Sequence, residues 1–164
     1  MKIGGHGIRE HLQLLAPMFA LIAAVWVLRM VADYAGAPRG VVKVVSVNIA
    51  GSISILIAVI LMHVRKFGGY ANVAAATFML VLWKELLVSA AVAFTALTGL
   101  ATIYAAPEFS GAPGHPLTPG WHIIGQLTFG LGLQTLFGSA MGCFILWILR
   151  AFVPPPQVTK SSRL

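Results

Sequence analysis

The sequence predicts an all-α, polytopic integral membrane protein with four transmembrane helices in a bundle, and three observations carry that prediction. Apolar residues make up 59% of the 164 positions and charged residues only 9%, with a mean hydropathy of +0.90, whereas an ordinary soluble domain is roughly 25% charged. A water-soluble fold could not hide that much apolar surface. The length, at roughly 20 residues per crossing plus connections, accommodates about four spans. The apolar runs are long, continuous and rich in Ala and Leu, whereas an outer-membrane barrel needs many segments of roughly ten residues with polar alternation. The expected organisation is a single transmembrane domain over residues 1–152, with helices at about 11–35, 41–64, 71–106 and 121–152, and a disordered cytoplasmic tail over 153–164.

The first helix has a basic start, Lys2 and Arg9, before the uncharged run from Leu12 to Leu28. A signal peptide shares that pattern. Arg29 follows the run directly, however, and the small-residue site at Ala35-Gly36-Ala37 is weak, so an uncleaved helix is expected. Pro17 removes one backbone hydrogen bond inside it and predicts a kink. Arg29 and Asp33 lie one turn apart on one face, where they can pair. Gly36, Pro38 and Gly40 then end the segment.

The second helix carries Gly51, Ser54 and Ala58 at spacings of three and four, which marks a packing face. Asn48, a turn earlier, is an amide that would seek an interhelical partner in lipid. His63, Arg65 and Lys66 close the helix, and Gly68-Gly69 supplies the turn.

The third apolar run is too long for one simple crossing and is interrupted by Trp83-Lys84-Glu85. As a straight helix from Asn72 to Tyr104 it would reach about 50 Å against a hydrocarbon thickness of roughly 30 Å. Two placements compete. In one, Lys84 and Glu85 mark the cytoplasmic edge, Lys84 snorkels to water and Tyr104 occupies the far aromatic belt. In the other they sit near mid-membrane, at about 2.5 to 3.5 kcal/mol per charge unless they face a partner or a wet cavity. The boundary placement agrees with the charge count and is the expectation, although it leaves Ala71 to Leu82 without a covering surface. Adjacent residues point about 100° apart, so the pair is not expected to share one narrow axis.

A Pro- and Gly-rich connection from Pro107 to Gly120 leads to the fourth helix. Its small and hydroxyl residues Gly125, Thr128, Gly132, Thr135, Ser139 and Gly142 step by three and four, and predict a face packed on the third helix as an antiparallel hairpin, opposite Ala91, Thr95, Thr98 and Thr102. Gly138 and Gly142 form a GxxxG spacing. An even number of crossings puts both termini on one side. Lys2, Arg9, Arg65, Lys66, Arg150, Lys160 and Arg163 then face Arg29, Arg39 and Lys43 across the membrane, so both termini are expected in the cytoplasm, with a bacterial inner membrane as the expected location.

The net charge of +7 belongs to these flanks, and with no basic face a nucleic-acid partner is not expected. The lone Cys143 excludes an internal disulfide and a CxxC site. No cofactor or metal is expected; the weaker alternatives are a haem between His11 and His63 and a metal at His115, His122 and Glu108. No nucleophile has an adjacent base, no phosphate-binding loop is present, and catalysis is not expected. Two functions therefore stand. One is an accessory or scaffolding subunit that acts through helix–helix contacts with another membrane protein or a second copy, within the lipid bilayer. The other is a small-solute or ion transporter or channel subunit that uses Lys84, Glu85 and Asn48 as an intramembrane polar site, with Gln126 and Gln134 lining a path if they converge.

Overall fold

The computed structural model describes residues 2–100, 102–106, 111–112 and 115–153, and only the backbone of Arg39, Lys43, 111–112 and 115–116. The tail from 154 onward and Glu108 lie outside the described residues. Six helices follow in order: α1 (Ile8–Tyr34), α2 (Arg39–Val44), α3 (Val47–Val64), α4 (Tyr70–Thr98), α5 (Pro119–Gly125) and α6 (Leu131–Phe152). A π-helical segment, Gln126–Gly130, joins α5 to α6 into one rod. Four helical stretches are long and apolar enough to cross a membrane: α1, 40–64, α4 and 119–152. Two hairpins with two-residue strands cap the connections, Lys2–Ile3 with His6–Gly7 and Gly111–Ala112 with His115–Pro116.

Local chemistry sets the helix limits. The Glu10 carboxylate accepts from Gly7 N at 2.6 Å and caps the start of α1, a one-way acid-to-amide contact at an end that carries partial positive charge. The helix runs through Pro17 without ending. The Ser46 hydroxyl caps α3 and the Thr118 hydroxyl caps α5, with Pro119 in the first turn. The third span stops well short of the predicted 106. Gly99 adopts a left-handed conformation, φ 73°, which ends α4 at Thr98. The chain then folds back as a single 3₁₀ turn, Ile103–Ala105, with Tyr104 buried in the bundle instead of placed in a distant aromatic belt.

The helices are antiparallel neighbours. One end of the bundle gathers the first strands, the α3–α4 turn and the end of α6: Asn72 Nδ2 donates to Gly4 O at 3.3 Å, and Arg150 Nη2 donates to Gly68 O at 2.9 Å. The other end gathers the ends of α1 and α4, the short α2 and the start of α5. Arg29 Nε donates to Val42 O at 3.1 Å, and Asp33 Oδ2 accepts from Ile103 N at 2.8 Å.

Buried apolar side chains form two clusters, one per end. The larger includes Leu15, Ile22, Val59, Val73, Leu80 and Leu146. The smaller includes Val42, Val47, Val88, Ala91, Val92 and Ile103. Along α4 the larger cluster ends at Val81 and the smaller begins at Val88. Lys84 and Glu85 occupy the interval.

Helices α4 and α6 make the most extensive contact, antiparallel as expected but through a different face of the last helix. A Cβ on Gly142 would lie 2.8 Å from Val73 Cγ1, and one on Gly138 would lie 2.9 Å from Thr77 Cγ2. The GxxxG pair thus serves packing within the chain. The fully buried residues of α5 and α6 are His122, Gly138, Gly142 and Leu146, all on one series stepping by four. Of the predicted stripe, only Gly142 is buried, Gly125, Thr135 and Ser139 are half-buried, and Thr128 and Gly132 are exposed. Two effects hold the four-step series in place: the i±4 ridge is the commonest packing ridge, and the π segment widens a turn. By contrast, the face predicted on α3, Gly51, Ser54 and Ala58, is buried.

Candidate functional site

Lys84 and Glu85 lie midway between the ends of α4 and are 3% and 1% exposed. They do not form the edge of the helix, which runs from Tyr70 before them to Thr98 beyond them. The residues from Ala71 to Leu82 that lacked a cover have one, since Val73, Ala76, Thr77, Leu80 and Val81 are buried in the bundle. The pair also meets. Although neighbouring side chains leave the helix about 100° apart, the Lys84 stem is long enough to return its ammonium to 2.8 Å from Glu85 Oε1.

Two other helices complete the coordination. Lys84 Nζ donates to Asn48 Oδ1 of α3 at 2.8 Å and to Gln134 Oε1 of α6. Gly51 has no side chain, and the position of its missing Cβ is 3.6 Å from Lys84 Cδ, so the stem lies against the α3 backbone. With three donors and no acceptor capacity, the ammonium is spent on two amides and one carboxylate. Glu85 Oε1, 2.8 Å from the ammonium, takes its third donor as a buried ion pair. Trp83 anchors the same turn of α4 to α1, its Nε1 donating to Phe19 O at 3.1 Å.

A crevice and a cavity flank the pair. The crevice, about 210 Å³, opens between α3 and α6, with apolar walls that include Ile55, Leu80, Val81 and Met141. Asn48 and Ser52 are exposed on that side. The cavity, about 130 Å³, is more polar and lies toward the other end of the bundle, among Arg29, Glu85, Tyr104, Gln126 and Gln134. Lys84, Asn48 and Gln134 line both spaces and form the partition between them.

The last helix contributes a row of polar groups one turn apart. The Gln126 amide donates to His122 Nε2 at 3.3 Å. A Cβ on Gly130 would lie 3.0 Å from Gln126 Oε1 and 3.5 Å from Glu85 Oε1, so glycine leaves this ground open between amide and carboxylate. The π segment that contains Gln126 and Gly130 is a departure from α geometry often found at functional sites. At the outer edge of the cavity the Arg29 guanidinium lies 4.8 Å from the centre of the Tyr104 ring. Burial pushes the Tyr104 phenol up to about 12, so it stays protonated across the physiological range. Its hydroxyl is buried, with the Arg29 guanidinium as its neighbouring donor.

Lys84, Glu85, Asn48, Gln126 and Gln134 thus line one cavity. Arg29, Tyr104 and Gly130 belong to the same site and were not read as such. For Gly130 the available signal was the four-residue spacing of His122, Gln126, Gly130 and Gln134.

The histidines have separate settings. His11 Nδ1 donates to Gly7 O at 2.9 Å, and its ring stands edge-on to Phe67 with centroids 5.0 Å apart. His63 Nε2 donates to Val153 O at 2.6 Å. Among the described residues, no group of three or more His, Cys, Asp or Glu is gathered as a metal ion would need. A four-helix bundle with a charged layer between two apolar cores is the class of architecture that results. No protein-family model, curated protein or solved structure matches the chain.

Proposed function

We propose that this protein is a multi-pass membrane protein that moves a small solute or ion, as a transporter or channel subunit, with Lys84 and Glu85 as its intramembrane site. The observation that carries this reading is the placement of a charged pair midway along a long apolar helix, clamped by amides from two other helices and flanked by a crevice and a cavity. Charges at such depth are costly and mark substrate or ion pathways by default. A pair kept only for packing would be served as well by apolar residues of similar volume, and it would not need a cavity on one side and a crevice on the other. Both termini face the cytoplasm in a bacterial inner membrane, a reading supported by Lys2, Arg9, Arg65, Lys66 and Arg150 at one end of the bundle.

The test is purified protein in planar bilayers and in vesicles, with conductance in potassium chloride and shrinkage against glycerol as readouts. The wild type should exceed protein-free bilayers in one of the two. Lys84→Met and Glu85→Gln should return it to that baseline while still inserting. A wild type indistinguishable from protein-free bilayers in both would end the transport reading.

A second reading, an accessory or scaffolding subunit, is favoured by the outer face of the last helix. Thr128 and Gly132 are exposed there and line, with Phe78, Thr135 and Ser139, an open groove of about 450 Å³. Small residues in such a row permit close approach of another helix.

A further inference from the structure

We propose that the crevice between α3 and α6 binds an uncharged, lipid-soluble carbonyl compound, whose oxygen accepts from the amides of Asn48 and Gln134 while its apolar body lies along Ile55, Leu80 and Met141. The inference rests on the transport reading of the Lys84 site and names the class of solute that reaches it.

Lys84 sets the polarity of the crevice. An ammonium donates and never accepts, so the amides of Asn48 and Gln134 turn their oxygens toward it. Each amide nitrogen keeps two N–H donors, and neither nitrogen donates to a group among the described residues. Ser52, one turn beyond Asn48 on α3, lines the same crevice, and its hydroxyl has no partner among the described residues. In water such groups would be hydrated. Lipid tails offer no acceptor, and a polar group left unpaired in an apolar setting is costly. A ligand with an acceptor oxygen supplies what the bilayer lacks.

The charge of the site selects an uncharged head. All three ammonium donors are engaged, by Asn48, Gln134 and Glu85, and the buried carboxylate balances the one positive charge. Arg29 lines the cavity on the other side of the partition and not the crevice. A carboxylate or phosphate head would therefore enter beside Glu85 with no free cation to meet it.

The shape selects a small molecule that arrives through the bilayer. A cavity of about 150 Å³ accepts one benzene ring, so the crevice takes roughly eight heavy atoms at the same packing, a carbonyl with a short chain or one ring; its volume is about 210 Å³. Mostly apolar walls with a few converging polar groups are the usual make-up of a small-molecule site. Asn48, Ser52, Phe137 and Met141 are exposed along the crevice, so access is through the flank of the bundle. The cavity beyond the partition is walled by buried Arg29, Val88 and Tyr104. Entry through the flank of an apolar bundle suits a ligand that dissolves in lipid.

The test uses the full-length protein in lipid nanodiscs with isotope-labelled methyl hexyl ketone as the probe, and reads the ketone carbonyl band by infrared spectroscopy. Over empty nanodiscs the protein should add a saturable, red-shifted component, because N–H donors weaken the C=O stretch. Octane and octanoate at neutral pH should displace it several-fold less well than unlabelled ketone. Asn48→Asp keeps an oxygen for Lys84 but replaces the N–H donors, and should lose most of the shifted component. Met141→Trp narrows the mouth without touching the clamp. It should weaken saturation several-fold with the ligand-free melting temperature unchanged, and it keeps the proposal testable if Asn48→Asp fails to fold. Absence of a saturable component would overturn the proposal, as would a component unchanged in either variant that folds. Octane competing as well as the ketone would reveal an apolar slot, and octanoate doing so an anion site; either result ends the proposal. Saturable ketone binding without conductance or solute flux would remove the transport reading alone. Flux without ketone binding would remove the ligand class alone.

Discussion

Lys84 is held by its surroundings more completely than Glu85, and that asymmetry governs what each substitution should do. Lys84→Met strands three acceptors at once: Asn48 Oδ1, Gln134 Oε1 and the Glu85 carboxylate. Glu85→Gln removes one contact and leaves the ammonium with two amides. Breaking a buried ion pair from one side costs about 3 to 5 kcal/mol in soluble proteins, while polar contacts between membrane helices average only about 0.6 kcal/mol. Lys84→Met should therefore lose a few kcal/mol, Glu85→Gln about half as much, and the double change less than the sum. The coupling should be at least about 1 kcal/mol. Unfolding in mixed detergent micelles measures all three, and additive losses would mean that the pair contributes nothing as a pair. The sequence showed these residues as polar interruptions of apolar runs, and Asn48, Gln126 and Gln134 with them. Their place midway along the helix was not legible from Lys84 itself, because it depends on where the helix stops, and that signal was Gly99, fifteen residues away.

At the scale of elements, the four spans were legible because each is a long apolar run bounded by glycine, proline or charge. The face of the last one was misread for a physical reason. A stripe stepping by three and four suits a regular α-helix, whereas this rod carries a π segment at Gln126–Gly130 and packs along a four-step ridge. Matched glycine substitutions separate the two faces. A Cβ on Gly142 would press 2.8 Å from Val73 Cγ1 and 3.3 Å from Val59 Cγ2, whereas Gly132 has nothing within 4 Å. Gly142→Leu should destabilise by about 1 to 3 kcal/mol through overpacking. Gly132→Leu should leave the melting temperature unchanged or raised, since glycine costs about 1 kcal/mol in a helix interior. If the outer groove receives another helix, Gly132→Leu should also shift the detergent-solubilised protein to a smaller assembly, a change visible by light scattering. Equal melting losses at both positions would contradict the assignment of faces.

For the whole molecule, the charged layer divides the bundle into two apolar cores whose ends carry unequal basic charge. The end that gathers the amino terminus, the α3–α4 turn and the close of α6 holds Lys2, Arg9, Arg65, Lys66 and Arg150. The other end holds Arg29, Arg39 and Lys43, but Arg29 is only 7% exposed and lies against Tyr104 and Val42. A buried, engaged arginine is a weak retention signal compared with free basic loops close to a span. The effective bias is therefore larger than a count of residues suggests, and it favours the first end for the cytoplasm. A fluorescent protein fused after the carboxyl terminus should fold and emit, since it does so only in the cytoplasm. Alkaline phosphatase inserted in the α4–α5 connection should be active, since it matures only outside. The reversed pattern would place the basic end outside the cytoplasm and leave the fold untouched. A mixed pattern, with both reporters active at both places, would show that the basic end does not set orientation. Replacing Arg65 and Lys66 with glutamine should move the wild type toward that mixed pattern, because those two residues supply the basic charge nearest α3 and α4 at the basic end.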